Sequence, residues 1–115
     1  MGELDAKLGV KADDYAAALG AIIAQARKEA QGDMPWVIAG VAYHPEASAA
    51  NQKAIREAQR KVCDGKTILE GPTADDLTGP EWRYDGIHFT EAGLEEHGKR
   101  WAAALQALFF EKQNK

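Results

Sequence analysis

The sequence lacks the main features of a membrane, secreted or nucleic-acid-binding protein. It has no apolar run near the length of a bilayer span, which argues against an integral membrane protein. Its first residues lack the basic start and apolar core of a secretory signal, and its one cysteine, Cys63, excludes an internal disulfide. We therefore expect a cytoplasmic location, with export of a longer precursor left open. A net charge of −4 argues against a nucleic-acid partner.

Recognisable cofactor and metal motifs are also missing from the sequence. No glycine-rich phosphate loop occurs, because Gly71-Pro72 and Gly79-Pro80 are turn signals. The three histidines match no known zinc spacing. The acidic residues within 70–85 are more typical of a solvated loop than of paired glycosidase carboxylates. We expect no cofactor and no metal site.

The hydrophobic pattern predicts a single small α/β domain over residues 1–115. The apolar run 36–42 is short and continuous, which is typical of a strand in a parallel sheet that is buried on both faces. Glycine and proline at 71–72 are expected to end a second strand. The predicted elements are a lead-in over 1–11, a helix over 13–32, a strand over 36–42, a helix over 47–62, a strand over 66–70, a polar loop over 71–87 and a final helix.

The final helix is predicted to begin after Thr90, which has the character of an N-cap. Its apolar stripe between Leu94 and Phe109 is expected to lie in the core. His97 falls on the polar side of this helix, so we expect it to be exposed.

The best candidate for chemistry is the segment from Asp85 to Thr90, which places a carboxylate three residues before a histidine. A carboxylate at that spacing can turn back and accept one imidazole N–H of His88, and Gly86 permits the tight backbone path. The other imidazole nitrogen is then free to act as a general base, while the carboxylate fixes the tautomer. The same spacing also occurs in plain local turns, so spacing alone leaves both interpretations open.

The residues around this pair resemble a known family. The run from Asp85 to Leu94, DGIHFTEAGL, resembles the last block of the SGNH or GDSL-type hydrolases, in which Asp-x-x-His precedes a C-terminal helix. Upstream, the helical pattern Ile55–Gln59 followed by a short strand looks like the carbohydrate O-acetylesterase branch. The sialate O-acetylesterase-like and acetylxylan esterase-like members are the nearest comparison. The resemblance covers roughly residues 14–110.

This resemblance implies a fold, an activity and two catalytic residues. The implied fold is a partial flavodoxin-like, three-layer α/β/α sandwich with a short parallel sheet, to which this chain contributes the late strands and helices. The implied activity is deacetylation of a carbohydrate by ester hydrolysis. His88 would be the general base and Asp85 the acid that orients it.

The serine nucleophile of such an esterase has no counterpart in the sequence. The family carries that serine in an early Gly-Asp-Ser-type block, and later glycine and asparagine blocks complete the oxyanion hole. The only serine here is Ser48, whose simplest role is to cap the helix that it precedes. In Gly32-Asp33-Met34 a methionine stands where the nucleophile would be required. Because an acid–base pair alone has nothing to deprotonate in acyl transfer, we expect an incomplete SGNH-like domain.

Three further residues are candidates for substrate binding. His44 follows the first predicted strand, where it can reach the rim of a site or be satisfied within its own loop. Trp82 and Tyr84 can form a sugar-facing rim together with Arg83, or the same three side chains can pack the loop onto the body of the protein.

The sequence leaves two hypotheses of different classes open. In the first, the chain is the C-terminal portion of a carbohydrate esterase and is completed by an N-terminal half. In the second, it is a catalytically silent α/β remnant that assembles through its exposed sheet edge. A two-stranded sheet is marginal alone and an open apolar edge invites pairing, so both hypotheses predict a homodimer or a complementing partner.

Overall fold

The computed structural model describes residues 2–110 and contains a two-stranded parallel sheet with helices packed around it. This confirms the predicted α/β class with a short parallel sheet, and it is compatible with a partial three-layer sandwich. None of the helices in this part of the chain is both long and apolar enough to cross a membrane. The elements are α1 (Glu3–Leu8), α2 (Ala12–Ala30), β1 (Trp36–Gly40), α3 (Ala49–Val62), β2 (Ile68–Thr73), α4 (Glu91–Leu105) and a π-helical turn (Gln106–Phe110).

The helix ends follow local hydrogen bonding. The Ser48 hydroxyl accepts the backbone N–H of Asn51 at 3.1 Å and caps α3, as the sequence predicts. Thr90 caps α4 in the same way. At the end of α2 it is Gln31, and not the following glycine, that adopts the left-handed conformation, with φ of 58°.

The sheet joins β1 and β2 in parallel, with α3 as the connection between them. All five residues of β1 are only half-buried, so the expectation of a strand buried on both faces was wrong. The reason is that β2 is the only strand beside β1 within the described residues. β2 also continues through Gly71 and Pro72, which were expected to end it, because β2 lies at an edge where proline costs no ladder bond.

The N-terminal segment is more ordered than the sequence suggested. Residues 1–11 were expected to be a lead-in, but Glu3–Leu8 forms α1 and packs on α3. Ala6 is fully buried against Ala42 and Ile55. This small cluster ties α1 to the loop after β1, which carries His44.

The face of α4 departs from two expectations. Its apolar stripe is not a continuous core, because Leu94 is 62% and Leu105 is 37% exposed. His97 is half-buried and not exposed: its Nε2 accepts the indole N–H of Trp101 at 2.8 Å, and its ring meets Phe89 edge-on. Burial lowers the pKa of His97 below its usual range. The helical period located the stripe correctly, but too few elements lie against α4 to bury all of it.

Candidate functional site

Asp85 and His88 lie on a tight turn in residues 82–90, which we call the Asp–His hairpin. Arg83 and Phe89 form an antiparallel bridge at its base. Gly86 turns the chain with φ of 82°, a conformation that side-chain-bearing residues rarely adopt. Two backbone hydrogen bonds close the hairpin, from the Tyr84 N–H to the His88 carbonyl at 3.1 Å and from the Thr90 N–H to the Trp82 carbonyl at 2.8 Å.

The Asp85 carboxylate holds both the backbone and the ring of His88. Its Oδ1 accepts the backbone N–H of Ile87 at 2.8 Å and of His88 at 2.6 Å. Its Oδ2 lies 2.5 Å from Nδ1 of His88. The carboxylate therefore closes the turn and orients the imidazole at the same time.

The charge on Asp85 determines which ring nitrogen carries the proton. The side-chain hydrogen bond from His88, followed by the backbone N–H groups of His88 and Ile87, lowers the pKa of Asp85 to about 2. An ionised carboxylate can only accept, so Nδ1 of His88 must be the donor. Nε2 is then the basic nitrogen of the neutral ring, and the His88 side chain is 66% exposed. This is the arrangement required of a general base that is oriented by an acid.

His88 lines a groove of about 660 Å³ that also includes His44 and Tyr84. The Tyr84 ring stacks on the His88 imidazole, with ring centroids 5.9 Å apart and an interplanar angle of 18°. Tyr84 remains 69% exposed, so its outer face is free to contact a ligand. The structure thus brings three of the predicted site residues, together with Asp85, to one place. The other groove-lining residues are Glu3, Leu4, Arg83, Ile87, Phe89 and Leu94.

His44 is buried, with 7% of its surface exposed, and its role is fixed by its hydrogen bonds. Its Nδ1 accepts the backbone N–H of Glu46 at 3.0 Å. The neutral ring therefore carries its proton on Nε2, which makes His44 a hydrogen-bond donor and not a base. The two interpretations left open for this residue are compatible, because it is satisfied by its loop and also borders the groove.

Trp82 lies apart from the other candidate residues. Its side chain is half-buried, and it is not among the residues that line the groove. Its carbonyl oxygen accepts the N–H of Thr90 and closes the hairpin. Substrate contact by Trp82 stays a prediction.

Arg83 holds the hairpin against the body of the protein. It is only 6% exposed, and its guanidinium donates to the carbonyl oxygens of Leu77 at 2.6 Å, Ile87 at 2.7 Å and Ala74 at 3.2 Å. The guanidinium also lies 4.4 Å from the ring centroid of Phe89. Packing of the loop by Arg83 was one of the two interpretations that the sequence offered, but nothing in its spacing identified these carbonyl partners.

Asp75 organises the loop that carries His44, and the sequence did not single it out. Its Oδ1 accepts the N–H groups of Ala42 and Tyr43, both at 2.9 Å, and its Oδ2 pairs with Arg56 at 2.9 Å. This carboxylate is thus used as a structural link. Residues 2–110 contain no cluster of three or more histidine, cysteine or acidic side chains placed to hold a metal ion.

Comparison with known proteins identifies a family for this chain. Neither the curated proteins nor the solved structures contain a significant match to this chain. The family model for sialic acid-specific acetylesterases, which are carbohydrate esterases, matches residues 1–107 and therefore includes the whole Asp–His hairpin. With a match over nearly its full length, the chain belongs to the carbohydrate esterase family of sialic acid-specific acetylesterases.

Proposed function

We propose that this chain supplies the acid–base half of the active site of an SGNH-type carbohydrate esterase that removes O-acetyl groups. The observation that carries the proposal is the contact between Asp85 Oδ2 and His88 Nδ1, which leaves Nε2 of His88 as the basic nitrogen beside an open groove. Membership of the carbohydrate esterase family supports an acetylated carbohydrate as the substrate.

The proposed chemistry is a proton relay through His88. Nε2 accepts the proton of the attacking hydroxyl group as that oxygen forms a bond to the acetyl carbon. The ionised Asp85 stabilises the resulting imidazolium without taking its proton. Nε2 then returns the proton to the sugar oxygen as the ester bond breaks.

The attacking hydroxyl group of a full triad would come from outside these 115 residues. The only serine of the chain, Ser48, caps α3 and accepts a backbone N–H, and it does not line the groove. We therefore propose that the serine and the oxyanion donors belong to a complementing N-terminal half, or to an assembly that brings one to His88. Within the chain alone, water is the nucleophile that His88 can activate.

The groove offers two kinds of contact for a sugar. The exposed face of Tyr84 provides a stacking surface beside the base. Nε2 of His44 provides a buried donor for a hydroxyl or carbonyl oxygen. We propose these two residues as the substrate contacts of this chain, and Trp82 as a contact outside the groove.

The test is hydrolysis of a simple acetyl ester, such as an aryl acetate, by the 115-residue chain. We expect wild-type protein to accelerate acetate release and His88→Ala to abolish the acceleration. Glu95→Gln is the matched control, because it alters an exposed carboxylate on α4 whose partner is Lys99, and it should leave the rate unchanged. A rate that is unaffected by His88→Ala would contradict the assignment of His88 as the base and favour the catalytically silent remnant.

A further inference from the structure

One edge of β1 is left without a neighbouring strand within residues 2–110. The Trp36 N–H donates to the Thr67 carbonyl at 2.8 Å, so Trp36 and Ile38 turn their peptide groups towards β2. Backbone groups alternate along a strand, and those of Val37 and Ala39 therefore point to the other side. The open edge therefore presents the backbone N–H and C=O groups of Val37 and of Ala39, which are spaced to pair with a further strand.

At the Val41 end of the open edge, a side-chain amide already makes the hydrogen bonds that a neighbouring strand would make. The side-chain amide of Gln59 donates to the Val41 carbonyl at 2.7 Å and accepts the Val41 N–H at 3.1 Å. Gln59 is only 3% exposed, so this peptide-like pairing is built into the fold. It satisfies the edge at Val41 and leaves Val37 and Ala39 as the positions for a partner.

An apolar groove of about 340 Å³ runs beside the open edge, between β1 and α2. Leu19 and Ile22 of α2 line it, and Ile22 is 48% exposed although it is a large apolar side chain. Trp36 also lines it, and its indole nitrogen is buried with no acceptor among the described residues. A strand added at this edge would cover the apolar groove and bring carbonyl groups close to that donor.

The charges of α2 indicate what kind of partner fits. Tyr15 accepts a hydrogen bond from Gln59 at the Val41 end of β1, whereas Arg27 bonds to the Met34 carbonyl just before β1. α2 therefore runs antiparallel to β1. Its first turn is acidic, with Asp13 paired to Lys61, and its last turn is net basic although it includes Glu29, so two copies of α2 side by side in opposite directions have complementary ends. The acidic residues of the first turn are Asp13 and Asp14, and the basic residues of the last are Arg27 and Lys28.

We propose that a second copy of this chain docks on the open edge, with the two β1 strands antiparallel about a two-fold axis beside Ile38. Val37 of each chain then lies opposite Ala39 of the other, and each pair exchanges both of its hydrogen bonds, about four in all. The same rotation packs the Ile22 regions of the two α2 helices together and brings the acidic start of one towards the basic end of the other. The inference concerns self-association alone: a second copy adds only another Ser48, which caps its own α3, so the dimer neither completes the proposed triad nor depends on catalysis.

Two variants test the pairing against one control. Ala39→Pro removes the N–H that faces the partner and leaves the β1–β2 ladder, which does not use that group, in place. Ile22→Lys places a charge in the groove without touching the backbone. Leu105→Lys makes the same kind of change on α4, where the leucine is also partly exposed. Circular dichroism checks that each variant is folded.

Light scattering on wild-type protein at high micromolar concentration should give twice the 12.5 kDa of one chain. Both β1-edge variants should shift the mass to that of one chain, and Leu105→Lys should not. Amide hydrogen exchange adds a local measurement: Val37 and Ala39 should become protected as concentration rises, whereas Ile38 is protected at all concentrations. A wild-type monomer, including one that binds a strand of another protein, overturns the proposal. So does a dimer that survives both variants, because its interface lies elsewhere.

Discussion

The carbonyl oxygen of Trp82 lies so close to Gly93 that a Cβ atom added at Gly93 would overlap it. The same Cβ would lie 2.9 Å from Cδ1 of Phe89. The first turn of α4 therefore packs directly on the Asp–His hairpin. Gly98, on the same helix, has nothing within 4 Å of its added Cβ and makes no such contact.

Gly93→Ala should destabilise the protein and displace the hairpin. Forcing a methyl group into a filled site costs about 1–3 kcal/mol of unfolding free energy. The matched control is Gly98→Ala, which should raise the unfolding free energy by up to about 1 kcal/mol because alanine is the better helix former. Urea denaturation measures both effects, and the NMR signals of His88 should move only in Gly93→Ala. Equal effects of the two substitutions would show that α4 does not position the hairpin.

Arg83→Met should destabilise the protein more than any change of an exposed arginine. The substitution leaves the buried carbonyl oxygen of Leu77 without its Arg83 donor and removes one of the two hydrogen bonds that the Ala74 carbonyl accepts, at a cost of about 2 kcal/mol. Arg60→Met is the control, since Arg60 is 64% exposed and pairs with an exposed glutamate, so its loss should cost less than about 1 kcal/mol. Urea denaturation compares the two variants. Similar stabilities would mean that Arg83 does not anchor the hairpin.

The Asp85–His88 contact should persist well into the acid range. The pKa of Asp85 is lowered from 3.8 to about 2 by the hydrogen bond from His88 and by the backbone N–H groups. A lowered folded-state pKa means that the stabilisation is complete above pH 3.8 and is lost as the pH falls through about 2. The carboxyl ¹³C shift of Asp85 measures this midpoint. In His88→Ala the midpoint should rise towards 3.8, and an identical midpoint in both proteins would refute the assigned cause.

The sequence was sufficient to predict the parts of the fold that depend on local patterns. The apolar run of β1 predicted a parallel sheet, and Ser48 and Thr90 were identified as N-caps by their position before helical segments. The Asp-x-x-His spacing predicted the contact between Asp85 and His88, because both residues belong to one turn. The two caps and the Asp85–His88 contact each join residues that are close together in the chain.

The parts that the sequence did not reveal depend on contacts between distant segments. α1 is only six residues long and is held by the burial of Ala6 against α3, which no local period shows. Asp75 looks like any loop acid until the fold brings it to the N–H groups of Ala42 and Tyr43. Leu94 is likewise exposed because no described element covers it on α4. The helical pattern in the sequence predicts which residues share a face, but not whether another element packs on that face.

The role proposed for His88 requires that Asp85 hold the ring proton on Nδ1 and leave Nε2 as the base. The most direct measurement is ¹⁵N NMR of the His88 ring at a pH where the ring is neutral, in wild-type protein and in Asp85→Asn. We expect a protonated Nδ1 and a bare Nε2 in the wild type. In Asp85→Asn the side-chain NH₂ can face Nδ1, and the proton should then move to Nε2. A wild-type ring with its proton on Nε2, or one that is unchanged by Asp85→Asn, would contradict the assignment of His88 as an oriented general base.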